Sequence, residues 1–258
     1  MNDPAFLARQ RLYKAETGTL VWSEPLPSGG NAVVKLYRRR PLLDPIRRRF
    51  IPYRVEREYG LLRRLYEHGV ACPEALAWSH GRSRVHGRFE RLDTREVEGA
   101  VPLTDLPGGP ASLELAPLFA QVRRMHAAGV AHGALYARNV LVARTPGPGP
   151  QFFLIDLAHG RAFTRDIAGS HPGDYDLLDL LLSLKRQGAI DAAVEWLAAY
   201  GLTPDAARSL LKRLERHRNE RPWRHFRRIE TDSRALLAAL GSGASRASAA
   251  TLTVPDQG

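Results

Sequence analysis

The chain holds a single cysteine, Cys72, in 258 residues, which excludes an internal disulfide and suits a reducing compartment. Cys72 lies in GVACPEAL, just ahead of a proline, where a small buried hydrophobe is the simplest reading. No uncharged apolar stretch approaches the roughly 20 residues that a bilayer-spanning helix requires. The opening MNDPAFLARQ lacks the apolar core of a secretory signal, so the expectation is a cytoplasmic protein, at most peripheral on the inner membrane. Acidic residues are in short supply: 27 Asp and Glu against 38 Lys and Arg leave a formal net charge of +11. That excess favours polyanionic partners, from nucleic acid and anionic lipid to a phosphorylated glycolipid or a nucleotide. No internal repeat and no full glycine-rich loop of the phosphate-cradling type is present. Gly18 alone punctuates the first strand-like stretch.

What is present is an ordered change of pattern. From Leu12 to Tyr37 the runs LYKAET, TLVWSEP and AVVKLYR predict strands, separated by Gly18 and the turn PSGGN. A basic segment follows, and YRVEREYGLLRRLYEHG then predicts a helix. Val55, Tyr59, Leu62, Leu65 and Tyr66 recur there at helical spacing, and Gly69 makes the stop. ALAWSH and RFERLDTREVEG predict further strands. Ser112 to Ala128 predicts an amphipathic helix ended by Gly129. VLVA and QFFLIDLA predict a hairpin across TPGPGP, and most of the remainder reads as helix, in YDLLDLLLSLKRQG, AIDAAVEWLAAYG, TPDAARSLLKRLERH and DSRALLAALG. The predicted fold class is α+β, with a strand-rich unit over residues 1–98 and a helical unit over 99–241. Residues 242–258 are small and polar, and read as a disordered tail.

The chemistry centres on VAHGALYARNVLV, residues 130–142. His132 and Asn139 stand seven residues apart ahead of an apolar strand, the frame in which H-x-D-x-x-x-x-N carries a catalytic base and a metal ligand. The position of the base is occupied by Ala134. Phosphoryl transfer needs a cation on the nucleotide phosphates, ligands for Mg²⁺ and a placed acceptor. Lys35, in the strand VVKLY, is the natural cation, and Glu58 in the following helix is the acid that could hold it. Glu56 is two positions away and points elsewhere on the helix. Asp156 ends the apolar run FFLI, and a carboxylate there costs several kcal/mol unless it is paired or metal-bound. The VLVA–QFFLID hairpin would bring Asn139 and Asp156 close, offering the oxygen ligands that Mg²⁺ prefers. Each residue alone has an ordinary explanation as an exposed lysine, a solvated carboxylate or a capping side chain. Their order along the chain makes accident a poor one.

This ordered set resembles the bacterial lipopolysaccharide kinases, the Kdo and heptose kinases of the protein-kinase-like superfamily. HGALYARNVLV is similar to that family's His-Gly-Asp-Leu-Tyr-x-x-Asn-x-Leu loop, and FFLIDLAHGRA to its Leu-Ile-Asp metal strand. EYGLLRRLYEHGVACPEALAW resembles the helix bearing the lysine-pairing Glu, REVEGAVPLTDL the hinge, and YDLLDLLLSL the helix whose Asp176 braces the catalytic loop. The likeness covers roughly residues 12–240. It implies a two-lobed kinase-like fold with ATP and Mg²⁺ bound between the lobes. Lys35, Glu58, Asn139 and Asp156 would serve the nucleotide and metal, with Gly18 in the strand turn near them. His132 would have a structural part in the loop. The implied activity is transfer of the ATP γ-phosphate to a sugar hydroxyl of the lipopolysaccharide core at the cytoplasmic membrane face.

Ala134 is the main departure, since a positioned base contributes about 10² to 10⁴ in rate. Three explanations stand side by side: a natural pseudokinase that binds nucleotide or partners as a regulator or scaffold, an engineered Asp-to-Ala variant, and an enzyme with a relocated base. Arg38, Arg39, Arg40, Arg47, Arg48, Arg49 and Arg54 form a basic segment with Asp44 as its one acid, suited to a phosphorylated glycolipid acceptor or an anionic membrane surface. A solvated basic loop is the plain alternative. A second cluster, from Lys212 to Arg228, interleaves Trp223 and Phe226, which could suit RNA. Helical amphipathicity explains those aromatics more simply, so nucleic acid is the less favoured partner. His68, His80 and His86 are scattered, with no metal-ligand spacing among them.

Overall fold

Strand alternation in NAVVKLYR sets the first layer of the molecule. Ala32, Val34 and Leu36 are buried on one side of the strand, while Lys35 and Tyr37 share the other. The structure, a computed structural model, describes residues 11–16, 18–38, 54–83, 87–143 and 149–217. Five strands, β1 (Leu12–Glu16), β2 (Thr19–Pro25), β3 (Asn31–Arg38), β4 (Ala75–Ser83) and β5 (Gly87–Arg95), form one antiparallel sheet in the order β1-β2-β3-β5-β4.

Helix α1 (Arg54–Glu67) lies between β3 and β4 in the chain. Its buried residues Val55, Glu58, Leu61, Leu62 and Leu65 form a stripe at helical spacing that faces the core. Glu58 falls within that stripe, so its carboxylate enters the interior and needs a partner. The helix stops where the sequence predicts. Gly69 adopts φ +65°, and Val70 N–H donates back to the Leu65 carbonyl at 3.0 Å.

Beyond the sheet, β6 (Val101–Pro102), β8 (Val140–Ala143) and β9 (Gln151–Leu154) form a three-stranded sheet, and β7 (Val130–Ala131) pairs with β10 (Arg161–Ala162). Helices α2 (Ala116–Ala127), α3 (His171–Lys185), α4 (Ala193–Tyr200) and α5 (Pro204–Leu214) make the rest. The predicted helix from Ser112 begins later, at Ala116, because Pro117 belongs in a first helical turn, and a short 3₁₀ turn occupies Pro110–Ser112. α3 is buried along nearly all its length and carries two buried carboxylates, Asp176 and Asp179. No helix among the described residues is long and apolar enough to cross a membrane. Arg39, Arg40, Arg47, Arg48 and Arg49 lie outside the described residues, as do the second basic cluster beyond His217, the helix predicted near residue 232 and the tail at 242–258.

Candidate active site

The sheet, α1 and the turn after β9 converge on one ammonium group. Lys35 Nζ donates to Glu58 Oε1 at 2.9 Å and to Asp156 Oδ1 at 2.7 Å. Glu58 is almost wholly buried, and its second oxygen has no hydrogen-bond partner among the described residues. Asp156 keeps part of its carboxylate open, at 39% side-chain exposure, so one oxygen remains available to a ligand. Burial alone would push Lys35 down, but Glu58 and Asp156 together hold it well above its ordinary range. Burial likewise pushes Asp156 up, and the adjacent Lys35 ammonium outweighs it, holding the carboxyl well below the usual range. Lys35 is charged and Asp156 ionised at neutral pH. The Lys35 ammonium also lies 5.8 Å from the centre of the Tyr37 ring on the same strand face.

Asp156 has left-handed backbone torsions, φ 63° and ψ 53°, where a non-glycine residue is strained. β9 delivers it there. The β8–β9 ladder pairs Val140 with Leu154, and Ile155 N–H then donates to the Asn139 carbonyl at 3.0 Å. Asn139 and Asp156 are thereby neighbours across the end of the hairpin. The Asn139 side-chain amide donates through Nδ2 to the Ala134 carbonyl at 2.8 Å, which leaves its Oδ1 free to accept. Among the described residues no trio of His, Cys, Asp or Glu converges into a metal cage. An amide oxygen and one free carboxylate oxygen instead fit a hard cation held jointly with phosphate oxygens, as Mg²⁺ is bound in nucleotide sites.

The His132–Asn139 loop is held from below by Asp176. Its Oδ2 accepts from His132 N–H at 2.7 Å and its Oδ1 from Gly133 N–H at 2.8 Å. His126 contacts the same carboxylate through Nε2 at 3.2 Å and the Tyr200 hydroxyl through Nδ1 at 2.7 Å. The His132 ring is fully buried, with Nε2 at 2.9 Å from the Ile155 carbonyl, so it fastens the loop to β9. Ala134 is 8% exposed, and its carbonyl accepts from both Tyr136 N–H and the Asn139 amide. The loop backbone is thus fixed without help from the side chain at 134.

Lys35, Glu58 and Asp156 are brought into direct contact, and Asn139, His132 and Ala134 are joined to them through β9. Gly18 is not part of that network. It sits in the β1–β2 turn, where an added Cβ would meet nothing within 4 Å, and its carbonyl accepts from Arg38 N–H. Sequence reasoning did not find Tyr37, His126 or Tyr200. A buried aromatic two residues after the lysine was the one available signal. Cys72 is buried, and burial pushes its thiol up to about 12, which removes it from reactive chemistry.

The lipopolysaccharide kinase (Kdo/WaaP) family profile matches residues 15–200, more than half of the sequence and the whole of this network. The chain belongs to the lipopolysaccharide kinase family. No curated protein matches the sequence. Among solved structures, WaaP in complex with acyl carrier protein superposes with a TM-score of 0.56 at 21% identity, over 83% of this chain and 90% of that one. The Rio2 kinase–ADP/Mg²⁺–phosphoaspartate complex from Chaetomium thermophilum gives a TM-score of 0.49 at 18% identity, over 81% of this chain and 71% of that one. The WaaP likeness establishes a protein-kinase-like fold, with the antiparallel sheet first and the helices after it.

Proposed function

We propose that the protein is an ATP-dependent phosphotransferase acting on a sugar hydroxyl of a lipopolysaccharide core. The observation that carries this reading is the Lys35 ammonium held between Glu58 and Asp156, with Asn139 at the adjoining hairpin end. ATP would lie between a strand-rich unit over residues 1–98 and a helical unit over 99–241. Lys35 orients the nucleotide by its charge, and Glu58 fixes the lysine rotamer. Asn139 Oδ1 and Asp156 would hold Mg²⁺, which when bound neutralises charge on the phosphate oxygens. The reaction would take place at the cytoplasmic membrane face, with the Arg38–Arg54 segment toward anionic lipid or glycolipid. WaaP was solved with an acyl carrier protein, which makes such a carrier a candidate partner here.

Ala134 supports a second reading, a pseudokinase that binds nucleotide and acts as a regulator or scaffold. No carboxylate stands at the loop position that would accept the proton of the acceptor hydroxyl. Calorimetric titration with Mg·ATP, followed by an ATP-consumption assay with a lipopolysaccharide core acceptor, separates the two. Binding with turnover supports the transferase, and binding without turnover supports the pseudokinase. No binding at millimolar Mg·ATP sinks both nucleotide readings.

A further inference from the structure

Helix α1 lies in the chain between strands of the first sheet, yet much of what fastens it belongs to the C-terminal half of the fold. Arg57, next to Glu58 in sequence, donates through Nη2 to the Ala158 carbonyl at 2.8 Å, in the turn after Asp156. Arg64, two helical turns further along and so on the same side of α1, forks between two more carbonyls. Its Nε donates to Ala128 at 2.5 Å and its Nη2 to Phe163 at 3.1 Å. Ala128 caps the C-terminal end of α2, where the helix dipole favours a cation, and Phe163 follows β10. Between the two arginines, Leu61 packs against Gly160. A Cβ at Gly160 would lie 2.7 Å from Leu61 Cδ1, and one at Gly129 would lie 3.1 Å from Arg64 Nη2. Both glycines keep clear the surface on which α1 sits.

These contacts fix where Glu58 can be. Ala128 and Phe163 are buried, so a swing of α1 away from them would withdraw charged donors from two buried carbonyls. The same swing would carry Glu58 off the Lys35 ammonium, because Glu58 lies on α1 between the two arginines. On the sheet side, Val55 N–H in the first turn of α1 donates to Glu90 Oε2 at 3.2 Å. We propose that Arg57 and Arg64 are positioning residues that clamp α1 to the C-terminal half of the fold and keep Glu58 on Lys35 before any ligand arrives. Their role in phosphotransfer rests on the nucleotide reading of Lys35: a site already assembled binds Mg·ATP without first drawing the helix inward.

Trace acetic anhydride on the full chain, without nucleotide, at neutral pH and well below melting, reads the clamp as acylation of Lys35 relative to the exposed Lys185. Only an uncharged amine is acylated, and the parent's Lys35 is held protonated, so it should react slowly. Glu58→Gln removes the carboxylate outright and should raise the Lys35 rate about tenfold, the worth of one pKa unit. Arg57→Ala and Arg64→Ala should each raise it about fivefold on the same scale. Added to Glu58→Gln, Arg64→Ala should give less than about a twofold further rise, since both act on one ammonium. A residue that only supports the fold would lower the unfolding midpoint and leave the Lys35 rate alone. An unchanged Lys35 rate in any of the folded single variants, or an equal rise from Arg64→Ala in both backgrounds, would overturn the clamp. If Arg64→Ala fails to fold, Arg64→Lys, which keeps the charge and loses the fork, decides by the same criteria. Calorimetry then tests the role: Arg64→Ala should weaken Mg·ATP binding about fivefold. Undiminished affinity beside a raised Lys35 rate would overturn the positioning role. A parent that binds no Mg·ATP while its Lys35 responds as expected would count against the nucleotide reading and not against the clamp.

Discussion

The two walls of the candidate site are finished to different degrees. On the Lys35 wall, one ammonium is fixed by two carboxylates from separate elements, at 2.9 Å and 2.7 Å. On the Ala134 wall, the loop is braced as fully, with both oxygens of Asp176 taken by backbone amides. Yet at residue 134 it presents a methyl group and no carboxylate. Brace and base are thus separable. Asp176, His126 and His132 hold the loop through backbone atoms and buried rings, so its shape does not depend on the residue at 134.

The comparison is sharpened most by restoring the missing group. Ala134→Asp should raise phosphotransfer by about 10² to 10⁴, the usual worth of a placed base, read as ATP consumption with a core acceptor. No gain in a folded, ATP-binding variant would mean that the Ala134 wall lacks more than one carboxylate.

Removing the brace attacks the same wall from beneath. Asp176→Ala strands two buried amides and the His126 ring, and should cost about 2–4 kcal/mol in urea unfolding. A loss under 1 kcal/mol, on the same scale of buried polar groups, would show that the loop holds itself.

The Lys35 wall is probed by Lys35→Ala, which removes one charge-assisted donor worth about 1.5–3 kcal/mol and should weaken Mg·ATP binding roughly tenfold or more. The melting-temperature shift at fixed Mg·ATP would shrink accordingly. An unchanged shift would move the nucleotide away from this wall.

Acid provides a gentler test. The folded-state value of Asp156 lies below its ordinary 3.8, so its stabilising contribution is complete above that pH and is lost as pH falls through the folded value. Asp156→Asn should therefore flatten the acid limb of the stability profile below about pH 4, with little change in slope at neutral pH. The variant's profile running parallel to the parent's would disprove the pairing. The smallest effect is expected far from both walls: Cys72, with its thiol pushed up to about 12, should resist thiol reagents at mildly alkaline pH until the protein unfolds.

Much of this architecture was legible in the residues. Alternation in NAVVKLYR, helical spacing in YRVEREYGLLRRLYEHG with its Gly69 stop, and the FFLID run are local signals, and local signals follow from backbone geometry. Asn139 and Asp156 were nominated by their place in the ordered motifs HGALYARN and FFLID, whereas Lys35 and Glu58 could be nominated because they occupy strand and helix positions whose facing is set by period. Glu58 was separable from Glu56 on the same ground, since only Glu58 shares the stripe of Val55, Leu62 and Leu65.

Other features depended on elements distant in the chain. Lys35 and Asp156 are 121 residues apart, and only folding could give the ammonium both of its carboxylates. The left-handed torsions of Asp156, the reach of Arg57 to Ala158 and the buried chain from Tyr200 through His126 to Asp176 leave no periodic mark. Gly18 lies outside the network of Lys35 contacts although its place in the chain suggested otherwise. The sequence by itself determined the elements and the faces they present, since those follow from a period of two or 3.6 residues. Which polar groups meet was decided by the tertiary structure, because a buried charge takes whatever partner packing brings within 3 Å, regardless of separation along the chain.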